Sequence, residues 1–232
     1  MRFQVLGAFI AVLFMFTGCV EKEVVLYDKP SVLQPQESLQ VTETAKEQTI
    51  ELEALYRDQI VQSALKYINK KDGQDCSGFV SLVNLQNYEP YYSGSELNKY
   101  FTNMHRSKAM YNLMKKDGRV VDDLSPKVGD LVFFEDTLQK SKRKLGALNI
   151  THVGIVTKID DDKTVHFIHH SNGKNVVDQL NLKYKNSKVV SGKTVNSYMK
   201  RCPKNTQEQC LSSNLFTAFA SPVVKPIEIS QK

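Results

Sequence analysis

No period repeats along this chain, so solenoid and propeller architectures are excluded. Charge of neither sign dominates: 31 Lys and Arg stand against 25 Asp and Glu, a net +6 spread along the sequence. The densest basic cluster, Lys140-Ser141-Lys142-Arg143-Lys144, has no interleaved aromatic residue and reads as a solvated loop. Nucleic-acid binding is therefore not expected. Tryptophan is absent, and cysteine and histidine are scarce, at four and five residues. Long apolar runs are missing but for one near the start, from Val5 to Phe16, too short to span a bilayer. Hydrophobic residues still make up 41% of the chain, enough for the core of one ordinary domain with extensions.

Arg2, the apolar run and the small residues after it have the form of a secretory signal. Phe16-Thr17-Gly18-Cys19 resembles a bacterial lipobox, with Phe16 where that pattern usually has Leu. The resemblance implies removal of residues 1–18 and lipidation of Cys19, which would anchor the protein at a membrane surface. Val20, and not Asp, follows the cysteine. By analogy with Gram-negative lipoprotein sorting, this implies the outer membrane, facing the periplasm. Residues 19–46 are rich in Glu, Gln, Thr and Ser, with Pro30 and Pro35, and read as a tether. A single domain is expected over 47–222, followed by a tail, 223–232. Cys202 and Cys210 would close a short loop containing Pro203, and a disulfide is expected there in an oxidising compartment. A zinc knuckle is not, because the spacing is wide and no His lies nearby.

From Thr49 onward Ile50, Leu52, Leu55, Ile60, Val61, Leu65 and Ile68 recur near helical spacing. A second helix is expected from Cys76, with Asp75 as its N-cap and Phe79, Val80 and Val83 on its apolar side. A third is expected over 95–116. Past Pro126 and Gly129 the texture changes to short strands: 131–134, 150–159 and 164–170, then weaker candidates at 176–180, 188–190, 194–199 and 215–220. Helices first and an antiparallel sheet after them argue an α+β fold.

Thiol hydrolysis needs a thiolate, an imidazole to take and return its proton, and a third group to orient that imidazole. Cys76, at the start of a helix, meets unpaired N–H groups and the positive end of the helix dipole. A lowered thiol pKa is expected there, and the same N–H groups could stabilise an oxyanion. Gly78 leaves room for another backbone or a substrate to approach closely. His152 opens the strand 150–159, which turns at Asp160-Asp161-Asp162-Lys163. If Ile159 faces Thr164, then Gly154 faces His169 and His152 faces Ser171. His152 and His169 would share one face, with His166 and His170 on the other. A slip of one residue would select His170 instead. The reading is Cys76 as nucleophile, His152 as base and His169 as orienter, with no metal or cofactor. Zinc ligation by His152, His169 and His170 is disfavoured, because adjacent strand residues point to opposite faces. His105 reads as a surface histidine.

Four segments in order resemble the successive motifs of the NlpC-type cell-wall peptidases: Asp75-Cys76-Ser77-Gly78-Phe79-Val80, Gly129-Asp130-Leu131-Val132-Phe133-Phe134, His152-Val153-Gly154-Ile155-Val156 and Phe167-Ile168-His169. The resemblance extends over residues 55–200. It implies a papain-like core and cleavage of peptidoglycan stem peptides through Cys76, His152 and His169, as in the Spr-like outer-membrane lipoproteins. Asp75, Ser77 and Tyr67 would border the substrate. Family members carry a Tyr and a Trp-Gly-Gly turn before the cysteine; here Ile68-Asn69-Lys70-Lys71-Asp72-Gly73 stands in that place. Residues 88–120 lengthen the stretch between Cys76 and Gly129 and read as an insertion that covers or extends the cleft. The implied partners are stem peptides and, through Cys19, a membrane, with the protein a monomer. The alternatives are an amidase or acyltransferase acting on another amide or ester, and a non-catalytic cell-wall-binding protein on the same fold.

Overall fold

The computed structural model describes residues 36–101, 105–121, 125–138 and 148–223, with side chains from residue 46. The expected signal peptide, Cys19 and the basic cluster at 140–144 lie outside the described residues. The chain divides into two units, Met1–Val41 and Thr42–Lys232. Of the first, the described residues are the opening turns of helix α1 (Gln36–Leu65).

Helix α1 thus begins inside the segment read as a tether. Glu, Gln and Lys cannot build a core, but they are good helix formers, and here that propensity is realised. Burial on α1 starts only at Tyr56 and continues through Arg57, Ile60, Val61 and Ala64, while Ile50, Leu52 and Leu55 of the expected apolar stripe are exposed. Arg57 fixes the helix to the sheet. Its Nη1 donates to Asp130 Oδ1 at 2.6 Å and to Val128 O at 3.0 Å, and its Nε donates to Glu53 Oε1 at 2.8 Å. Asp130 is fully buried, so only this pairing and the Lys127 N–H on its other oxygen offset the cost of its desolvation. Tyr56 adds a second attachment by donating its hydroxyl to Asn87 O at 2.8 Å.

Three further helices follow: α2 (Cys76–Gln86), α3 (Gly94–Tyr100) and α4 (Arg106–Lys116). The helix expected over 95–116 is therefore two helices. Ser93 and Glu96 close a capping box on the first, which ends at Phe101. A six-stranded antiparallel sheet comes next, in the order β1-β8-β2-β3-β4-β5. Its strands are β1 (Val120–Val121), β2 (Leu131–Glu135), β3 (Ile150–Ile159), β4 (Val165–Ser171), β5 (Lys174–Leu180) and β8 (Phe216–Ala220). A small separate ribbon pairs β6 (Val189–Val190) with β7 (Lys193–Thr194). The short helix α5 (Ser212–Leu215) leads into β8.

Alternation along the strands sends side chains to two cores. On the helix side Phe79, Val83, Met110 and Met114 pack with Phe133, Val153, Ile155 and Ile168. On the other side Val132, Phe134, Val156, Phe167 and Phe219 form a smaller cluster. The fold is α+β, helices on a mainly antiparallel sheet. The strand expected over 194–199 stops at Thr194 because buried Asn196 substitutes for a ladder. Its side chain accepts from Asn181 N–H at 2.7 Å and donates to Tyr184 O and Ser187 O, each at 2.9 Å. Cys202 and Cys210, eight residues apart, are joined in a disulfide.

Candidate active site

Cys76 is the first residue of α2, and the loop before it is folded tightly beneath the first turn. Asp75 caps the helix: its Oδ1 accepts from Gly78 N–H at 2.7 Å and from the Ser77 hydroxyl at 2.8 Å. Gly73 has φ +91°, and a Cβ at Gly78 would collide with Gly73 O. The room that Gly78 provides is thus taken by the chain's own backbone. The N–H groups of Val153, Ser77 and Cys76 itself are directed at the sulfur. Even so, burial is the largest influence, and it pushes the Cys76 thiol up to about 11, with the Asp75 charge adding to the effect. This reverses the lowered pKa expected from the helix terminus. Desolvation of a closely surrounded sulfur outweighs the dipole.

His152 and His169 are brought together by the β3–β4 hairpin, though not by the simple pairing expected. At the turn Ile159 faces Val165, one residue out from the expected Thr164, and Lys158 faces His166. A bulge at Thr157 absorbs one residue, so Val156 faces Phe167 and Ile155 faces Ile168. Continued toward the site, this is the expected register. His152 Nε2 lies 2.6 Å from His169 Nδ1, with the rings nearly perpendicular at 83°. Gly154 makes the contact possible, since a Cβ there would stand 2.9 Å from Ile168 O and 3.2 Å from His169 Cβ. The His152 ring packs against Phe134 and His169. Burial, and after it the charges of His169 and His170, holds its pKa well below the usual imidazole range.

Asp178 on β5 completes the line: its Oδ2 is 2.9 Å from His169 Nε2. Sequence reasoning missed it, although the signal was present. Asn172-Gly173, with φ of +51° and +79°, is a two-residue hairpin turn, and Ser171 faces Lys174 across it. Counting back from that turn places Asp178 opposite Phe167 and His169 opposite Val176, all on one face of the sheet.

A cavity of about 750 Å3 opens beside the sulfur. Cys76, His152, Asp75 and Ser77 line it, whereas His169 stands behind His152 and does not. Tyr67, expected to border the substrate, lies elsewhere: it packs edge-on against Phe79 at 6.4 Å and bonds to Gln86. Phe101 and exposed His105 form part of the cavity wall. His170 also lines the wall, its Nδ1 2.9 Å from Asn175 Oδ1. Among the described residues no group of three or more His, Cys, Asp or Glu is arranged to hold a metal ion. No helix among them is long and apolar enough to cross a membrane.

Neither a curated protein nor a solved structure matches the chain. Residues 66–171 match the CHAP domain, a span that contains all four motifs quoted above together with Cys76, His152 and His169. The NlpC-type and Spr-like specifics are not part of that match. What it supports is coarser: a CHAP segment of the cysteine- and amidase-type, implying a hydrolase that acts on peptidoglycan.

Proposed function

We propose that the protein is a lipid-anchored peptidoglycan endopeptidase, hydrolysing amide bonds of stem peptides through Cys76, His152 and His169. The observation that carries this reading is that Cys76 and His152 line one cavity while His169 Nδ1 holds His152 Nε2 at 2.6 Å. With the thiol pushed up to about 11 and the imidazole held low, the resting pair is uncharged. The proton therefore moves from sulfur to His152 as the sulfur attacks the scissile carbonyl carbon. The Ser77 and Cys76 N–H groups, directed at the sulfur, are the donors at hand for the developing oxyanion. Collapse breaks the C–N bond, the amine takes the proton from His152, and a thiol ester remains on Cys76. Water then gives a proton to His152 and its oxygen to the carbonyl carbon. The C–S bond breaks, the sulfur regains the proton, and the carboxylic product leaves. Asp75 and Ser77, on the cavity wall, border the substrate. Lipid on Cys19 would hold the enzyme at the outer membrane, on the side where peptidoglycan lies.

A second reading, an amidase acting on another amide of the cell wall, draws on the breadth of the CHAP match. Purified sacculi digested with the wild type and with Cys76→Ala, with fragments read by mass spectrometry, separate the two. Cleaved stem peptides from the wild type alone support the endopeptidase. Intact stems released by another cut favour the amidase, and no fragments at all sink both.

A further inference from the structure

We infer that Asp178 is a positioning residue of this site, and that it sets where the protons sit on both imidazoles. Its kinetic consequence rests on the hydrolase reading above; its effect on the rings does not.

A carboxylate offers only acceptors, so His169 Nε2, 2.9 Å from Asp178 Oδ2, must carry a hydrogen. A neutral imidazole has one N–H, which leaves His169 Nδ1 with a lone pair. That lone pair lies 2.6 Å from His152 Nε2, which must therefore be the donor. His152 is left with a bare Nδ1, the atom able to take the Cys76 proton. One carboxylate thus fixes the tautomers of two rings in series. The arrangement is enclosed where it matters: the His169 side chain is 2% exposed and that of Asp178 24%. When His152 gains a proton, its Nε2–H stays on His169 and the His169 N–H stays on Asp178. Positive charge then develops at the far end of a line that finishes in a negative one.

An amide at 178 breaks this logic without changing shape, because Asn can donate as well as accept. If Asn donates to His169 Nε2, the His169 proton sits on Nδ1 and faces His152 Nε2. His152 must then carry its own proton on Nδ1, the position from which it would act as a base.

The test uses the full chain. In a Cys76→Ala background, 15N–1H spectra of the histidine rings should show the Nε2–H form for His152 and His169, and a shift toward Nδ1–H when Asp178→Asn is added. On sacculi with Cys76 intact, Asp178→Asn should lower kcat by roughly 10²- to 10⁴-fold, the range that a misplaced proton costs in such triads, with KM within about twofold. Asp178→Glu keeps a carboxylate on a longer arm and should retain the Nε2–H form and recover part of kcat. Unchanged tautomers in Asp178→Asn, or a switch in Asp178→Glu as well, would overturn the inference. A tautomer switch in a protein that never cleaves sacculi would leave the inference standing and remove the hydrolase reading.

Discussion

Strand β4 belongs to two hairpins, and they are built in opposite ways. With β5 it is joined by Asn172-Gly173 and pairs without interruption from Ser171 opposite Lys174 to Val165 opposite Leu180. With β3 it is joined through 160–164, and the pairing shifts at Thr157. A tight left-handed turn dictates register from its own geometry. A longer turn leaves register to the side chains around it, and here Asp160 gathers Lys158, Lys193 and His166, which hold its carboxyl far below the usual range. The lesson lies in what each hairpin delivers to His169. The strict one brings Asp178, and the corrected one brings His152.

Removing what the corrected hairpin delivers, in His152→Ala, should have the largest effect. Cleavage of sacculi should fall by about 10³-fold or more, as for Cys76→Ala, since the base is lost in one case and the nucleophile in the other. Gly154→Ala is milder. Its Cβ meets Ile168 O, which is backbone and cannot swing aside, so a denaturant midpoint should report a loss of about 1–3 kcal/mol. The next prediction concerns pH. His152 is held below 6.5 in the fold, so as pH falls through 6.5 the unfolded chain binds a proton that the folded one does not. Stability should therefore decline from pH 8 toward pH 5, by at most about 1.4 kcal/mol per unit for this one group. Thermal melts of Cys76→Ala should show that slope, and adding His152→Gln should reduce it; equal slopes would refute the assignment. The smallest effect belongs to the strict hairpin. Gly173→Ala meets open space but keeps φ at +79°, so it should cost about 1 kcal/mol and leave kcat unchanged.

Much of the site was legible because its signals are local. Asp75 before Cys76 reads as an N-cap at sight, and the structure uses it as one. The facing of His152 and His169 was also reached, but through two errors that cancel. The turn pairs one residue away from expectation, and the bulge restores the count before the histidines. Bulges leave no mark in a pattern of alternating residues, so that outcome could not have been argued in advance. Asp178 was readable from Asn172-Gly173, the turn that sets the register of β5. Ser93 and Glu96, a capping pair, mark where α3 begins, whereas its break from α4 carries no such side-chain cap. What no periodicity could supply was the thiol's environment. Whether a helix terminus lowers a pKa depends on how closely the sulfur is enclosed, and that is a tertiary property.

The Arg57–Asp130 pair has a consequence in mechanical terms. Tension applied to the chain ahead of α1 travels down the helix and reaches Tyr56 and Arg57 before it reaches the loop that precedes Cys76. Tyr56 passes the force to Asn87, and Arg57 passes it to Asp130 and Val128 at the foot of β2. Both attachments lie upstream of the Gly73–Gly78 contact that seats the sulfur. Arg57 thus diverts a pull on the helix into the sheet, while Tyr56 carries its share to the end of α2 away from Cys76.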